Sequence, residues 1–129
     1  MKIPEDCLFT KEHEWVKIKG GQATVGITDH AQSELGDITF VELPQIDYVC
    51  QQFQQFATLE SVKAASDVYA PVSGKISAVN NKLQNAPELV NQDAFGKGWF
   101  VVIELADQKE SANLLSAADY EKYLKETVE

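Results

Sequence analysis

The chain has no uninterrupted apolar run near the roughly 20 residues that a bilayer-spanning helix requires, and only two cysteines and two histidines among its 129 residues. Cys7 and Cys50 stand alone without Cys-x-x-Cys spacing, so neither a zinc site nor a disulfide framework is indicated, and both read as structural thiols. Tandem repeats, low-complexity stretches and long linkers are also missing. Basic side chains are scarce: eleven against twenty acidic ones give a net charge of -9, which repels phosphate backbones and anionic membrane surfaces. Nucleic acid and membranes are therefore not expected as partners, whereas the acidity suits solubility and steering toward basic docking surfaces. His13 and His30 lie in different segments with no serine or cysteine nucleophile implied beside them, and no catalytic or metal-ligating constellation emerges. That predicts a protein with no active site of its own. The opening Met1-Lys2-Ile3-Pro4-Glu5-Asp6 has neither the apolar stretch of a secretion signal nor the arginine-rich, acid-poor character of a transit peptide, which predicts a cytoplasmic protein.

What is present reads as one domain spanning residues 1–129, with enough chain to bury a core unaided by metals or disulfides. Gln55 to Glu60 alternates with a period of two, Phe56 and Thr58 on one face and Ala57 and Leu59 on the other. Val68, Ala70 and Val72 alternate with Asp67, Tyr69 and Pro71 after a short polar break. Two strands around such a break predict a hairpin with Lys63 displayed at its tip, solvated and open to a modifying enzyme. Glu14 to Lys19 and Gln22 to Thr28 predict a second hairpin, turned by Gly20-Gly21. Asp29 with Gln32 three residues on resembles a capping box, and Gly36 closes the segment, which predicts a short helix near residues 30–35. Further strands are expected over Ile38–Leu43, Lys75–Val79 and Trp99–Leu105, with turns at Ser73-Gly74 and Asn80-Asn81. Ser116 with Asp119 predicts the start of a C-terminal helix whose Tyr120, Tyr123 and Leu124 share one face. Several short strands with helices near the ends predict a mainly β fold, a barrel-sandwich hybrid.

The octet Glu60-Ser61-Val62-Lys63-Ala64-Ala65-Ser66-Asp67 belongs to an ordered series of segments: Thr10 to Trp15, Gly26 to Asp29, Leu35 to Asp37, Val41 to Pro44, Tyr69 to Gly74, Pro87 to Asn91 and Gly98-Trp99. In order and spacing the series resembles the H protein of the glycine cleavage system, from about Ile3 to Tyr123. The resemblance implies a sandwich of two antiparallel sheets and lipoic acid in amide linkage to Lys63. It implies that Glu60, three positions before the lysine, and the flanking Ser61, Val62 and Ala64 serve recognition by a lipoate-attaching enzyme. Biotin carriers flank their lysine with methionines, and the 2-oxo-acid dehydrogenase lipoyl domains place aspartate before it; Val62 and Ala64 match neither. The partners implied are the pyridoxal-phosphate glycine decarboxylase (P protein), the tetrahydrofolate-dependent aminomethyltransferase (T protein) and dihydrolipoyl dehydrogenase (L protein). They would be met transiently by a monomeric shuttle of the aminomethyl group. An alternative is a relay of octanoyl or lipoyl groups to other lipoyl domains, served by the same lysine.

A lysine stem and an eight-carbon acyl chain make an arm of about 14 Å, and acylation removes the ammonium charge so that the arm enters apolar pockets. In the family the loaded arm folds back into a sheltering cleft, for which Glu14 beside Trp15 and the segment around His30 and Glu34 are the candidates here. The chain departs from the family pattern between Pro44 and Phe56. Most H proteins carry a glycine-aspartate turn and then another glycine there; this one has Asp47-Tyr48 and Gln51-Gln52-Phe53-Gln54-Gln55. Asp47 tolerates a left-handed backbone, whereas Phe53 at a positive-φ position is strained, so either the turn differs or Phe53 packs somewhere.

Overall fold

The computed structural model describes residues 2–127. The chain forms β1 (Leu8–Phe9), β2 (Glu14–Lys19), β3 (Gln22–Ile27), α1 (Asp29–Leu35), β4 (Ile38–Glu42), β5 (Val49–Cys50), β6 (Gln55–Ser61), β7 (Ala65–Tyr69), β8 (Gly74–Val79), α2 (Leu89–Gln92), β9 (Val101–Leu105) and α3 (Ala117–Thr127), with 3-10 turns at Asn81–Gln84 and Gln108–Asn113. A six-stranded sheet runs β1-β2-β3-β9-β8-β5 and a three-stranded one runs β4-β6-β7. Every pairing is antiparallel. This is the two-sheet sandwich expected from the alternating pattern. No helix among the described residues is long and apolar enough to cross a membrane.

The core fills the space between the sheets. Val16, Val25, Ile76 and Ile103 from the large sheet meet Val41, Leu59 and Val68 from the small one, all essentially sealed from water. Each such side chain stabilises the fold by roughly 1.5–3 kcal/mol relative to exposure. A second cluster of Cys7, Phe9, Trp15, Tyr120 and Leu124 lies on the other face of β1 and β2. There α3 covers the sheet, and Tyr120 stacks on Phe9 at 4.6 Å between ring centroids. Strand β2 is thus buried on both faces, Val16 turned inward and Trp15 outward. The indole of Trp15 lies flat against Gly26, its cross-strand partner, and donates from Nε1 to the Ala94 carbonyl at 3.0 Å. A Cβ at position 26 would sit 2.7 Å from that Nε1, so the absence of a side chain there is what lets the ring close down.

Three local readings change. The N-cap of α1 is Thr28, one residue earlier than expected: its extended backbone lets the hydroxyl accept from the Ala31 N–H, and Asp29 becomes the first helical residue, favourably placed at the positive end of the dipole. Gly36 closes the helix at φ 77° as expected. A β-bulge between Gln55 and Ala57 breaks strict alternation in β6, so Phe56 is buried together with Ala57 and Leu59 while Thr58 faces the other way with Glu60. In the β2–β3 turn only Gly20 of the glycine pair takes a positive φ. The 3-10 turns, α2, β1 and β5 carry no periodic signal, the two strands being only two residues long.

The unusual segment before β6 keeps its left-handed backbone. Asp47 has φ 75° and Phe53 φ 66°. Phe53 is held there by its N–H bonded to the Ala70 carbonyl, and its neighbour Gln52 is tied down on several sides. The Gln52 side chain donates to the Pro71 and Glu110 carbonyls, each at 3.0 Å, and its backbone N–H donates to Ser73 Oγ. The Glu110 carboxylate in turn accepts from the Ser73 N–H and hydroxyl, both at 2.7 Å. The loop holds Phe53 at a positive φ and leaves its ring half exposed.

Candidate functional site

Strands β6 and β7 pair from Gln55↔Tyr69 to Glu60↔Ala65, which leaves Val62, Lys63 and Ala64 as the connection. Ser61 fixes that connection. Its N–H bonds the Ala64 carbonyl at 2.8 Å, and its hydroxyl donates to the same carbonyl while accepting from the N–H groups of Lys63 and Ala64. A serine hydroxyl can do all three because it carries one donor and two lone pairs. The Val62 N–H reaches the Asp37 carbonyl at 3.0 Å, so the tip is also moored to the chain leading into β4. With the backbone restrained, Lys63 stands at an open depression of about 310 Å³ that it lines together with Thr39, Glu60 and the other tip residues.

The lysine stem lies over Gly36, where a Cβ would come 3.4 Å from Lys63 Cε. Its ammonium donates to the Glu34 carbonyl at 3.4 Å in an exposed position. That carbonyl belongs to the last turn of α1, whose unpaired C=O groups form the negative end of the helix dipole and suit a cation. The contact is weak and solvent-facing, so the ammonium is readily released. Glu60, Ser61, Val62 and Ala64 all gather at the tip, as the sequence predicts; Val62 and Ala64 are exposed, Glu60 turns to the outer sheet face, and Ser61 serves the turn itself.

The residues expected to line a cleft separate. Trp15 faces the opposite side of the large sheet, in the second cluster against Phe95, and does not approach the lysine. Glu14 points inward and is 1% exposed. Its carboxylate accepts from the Thr10 hydroxyl and, at 3.1 Å, from the Tyr69 N–H, which joins the large sheet to the root of the lysine hairpin. Burial pushes its pKa up to about 7, partly offset by those two hydrogen bonds. A cavity of about 440 Å³ opens beside this root, lined by Phe9, Thr10, Phe53, Tyr69 and Leu115. His30 and Glu34 share α1, His30 Nε2 lying 3.8 Å from the Glu34 carboxylate.

Chain separation conceals a further network. The His13 ring lies 4.5 Å from that of His30, tilted by 40°, and Tyr120 OH bridges His13 Nδ1 and Thr28 Oγ1, each at 2.8 Å. Thr28 Oγ1 also accepts from the Ala31 N–H, so this one hydroxyl joins the start of α1 to the Tyr120 phenol and, through it, to His13. Desolvation, with His30 adding to it, lowers the His13 pKa to about 4. Burial pushes the Tyr120 phenol up to about 12. Cys7 and Cys50 are both free and buried, and desolvation raises both thiols, Cys7 to about 11.

The family described as glycine cleavage H-protein matches residues 7–127. The glycine cleavage system H protein of Halothermothrix orenii is 52% identical over 126 residues, 98% of each chain. That of Oceanobacillus iheyensis is 49% identical over 98% of this chain and 100% of its own. Among solved structures, the crystal structure of a glycine cleavage system H protein from Mycobacterium marinum superposes with a TM-score of 0.84 at 31% identity, covering 98% of this chain and 100% of that one.

Proposed function

The chain belongs to the glycine cleavage H-protein family, and from that premise we propose that Lys63 is the residue through which it carries lipoic acid. It is the lipoyl carrier of the glycine cleavage system and has no catalytic activity of its own. Membership of that system implies the P, T and L proteins as partners. The observation that supports Lys63 is the turn: its backbone is pinned by Ser61 and Asp37 while, among the described residues, its ammonium makes a single hydrogen bond, to one exposed carbonyl.

The site fits an amide-linked acyl chain. The ammonium gives up one solvent-exposed hydrogen bond on acylation, and the methylenes run over Gly36, where no side chain obstructs them. The lipoyl group when bound supplies a disulfide that takes a one-carbon unit at the decarboxylase and yields it at the aminomethyltransferase. Ser61 keeps the pivot in place, Glu60 supplies a charge for the attaching enzyme to read, and the two sheets provide a rigid base for a mobile arm. The carrier meets its partners one at a time and as a monomer, which sedimentation of the purified chain would check.

Intact mass and peptide mapping after incubation with a lipoate ligase, ATP and lipoate test the assignment. A single lipoyl increment on Lys63, absent from Lys63→Arg, is the expected result. An increment that persists in Lys63→Arg would place the arm elsewhere.

A further inference from the structure

The three-stranded sheet has one face in the core and one in solvent. Val41, Leu59 and Val68 take the inner positions. On the outer face the register sets Phe40 opposite Glu60 and Glu60 opposite Ala65, with Glu42, Thr58 and Asp67 forming the next row. Phe40 is 43% exposed in the middle of a strand, which leaves a large part of an aromatic ring facing water. None of the ion pairs among the described residues includes Glu42, Glu60 or Asp67. The face therefore presents an apolar ring amid three uncompensated carboxylates, beside the tip that bears Lys63.

We propose that this outer face is the docking surface for the enzyme that acylates Lys63, with Phe40 as its apolar anchor and Glu42, Glu60 and Asp67 meeting the enzyme's cations. The proposal rests on Lys63 as the attachment site. Reach selects the occupant. Enzymes that use the loaded arm act about 14 Å from the Lys63 backbone, but the attaching enzyme must bring its reaction centre to Nζ, about 6 Å from Cα. It has to lie against the hairpin itself. There the lysine amine, having lost a proton to solvent or to a base of the enzyme, attacks the carbonyl carbon of an acyl adenylate. The C–N bond forms, the C–O bond to the phosphate breaks, and AMP leaves.

Initial rates of lipoylation of the whole chain by a lipoate ligase with ATP and lipoate provide the test. Phe40→Ser is expected to raise KM for the carrier about tenfold with kcat unchanged, the scale of a lost interface anchor, and Phe40→Leu to stay within about threefold of the parent. The parent rate should fall several-fold from low to high salt, and Glu42→Gln with Asp67→Gln should flatten that dependence. Tyr48→Ser, an exposed aromatic beside the edge of the other sheet, should behave as the parent. A parental KM for Phe40→Ser, or equal impairment of Tyr48→Ser, would overturn the proposal. Continued acylation of Lys63→Arg would instead remove the premise.

Discussion

Replacing Glu14 with glutamine tests the physical role of the carboxylate that joins the two sheets. In the parent, Glu14 titrates near pH 7 rather than at its ordinary value of 4.5, because it is buried. Between those two pH values the folded chain holds the proton that the unfolded chain has released, so stability falls as pH rises, by about 1.4 kcal/mol per pH unit and about 3 kcal/mol in all. His13 works in the opposite sense: its pKa of about 4 lies below the ordinary 6.5. Here the unfolded chain is the one that holds the proton, and stability rises with pH across that window by a similar slope. The two contributions nearly cancel between pH 4.5 and 6.5. Glutamine keeps the shape, its carbonyl accepting from Tyr69 N–H and its amide donating to Thr10 Oγ1, but it does not titrate. The variant's unfolding free energy, relative to the parent's, should be level below pH 4.5 and climb by about 3 kcal/mol toward pH 7. Urea unfolding followed by circular dichroism at pH 4.5, 5.5, 6.5 and 7.5 reads this directly. A difference between the two proteins that does not change with pH would refute the reasoning.

Two substitutions probe the packing around the site. Gly26→Ala drives a methyl into the Trp15 indole, whose retreat would strain or break the Nε1 bond to the Ala94 carbonyl, and should lower stability by about 1–3 kcal/mol in urea titration. Phe53→Gly relieves a left-handed backbone at φ 66°, and with the ring half exposed the gain should exceed the lost packing, raising stability by about 0.5–1 kcal/mol; a lower urea midpoint would mean that the ring packs more productively than its exposure implies.

The lysine hairpin, the β2–β3 hairpin, the end of α1 at Gly36 and the start of α3 at Ser116 were legible because each rests on local chemistry: a period of two, a glycine, a serine oxygen. Ser61 shows the limit of that reading. Its place beside the lysine was evident, but that one hydroxyl would serve two N–H groups and a carbonyl depends on the turn it closes. Glu14 and Trp15 were adjacent in sequence and were read together, yet a strand sends neighbours to opposite faces, and this strand is buried on both. Nothing local announced that Tyr120 would reach His13 and Thr28, since that contact spans 107 and 92 residues. The bulge at Phe56 was hidden for a related reason: one extra residue in a pairing is visible only once the partner strand is known.

A turn that immobilises its backbone and frees one side chain has a consequence for concentration. The proposed arm of about 14 Å, pivoting on Lys63 above a docked partner, sweeps a hemisphere that corresponds to an effective concentration of roughly 0.3 M. Once the body of the carrier is seated, the partner experiences that local value whatever the amount of carrier in solution. Docking then needs only to last long enough for one visit by the arm, and a loose, quickly reversed encounter between acidic carrier and enzyme becomes an advantage, because the carrier must leave to reach the next partner.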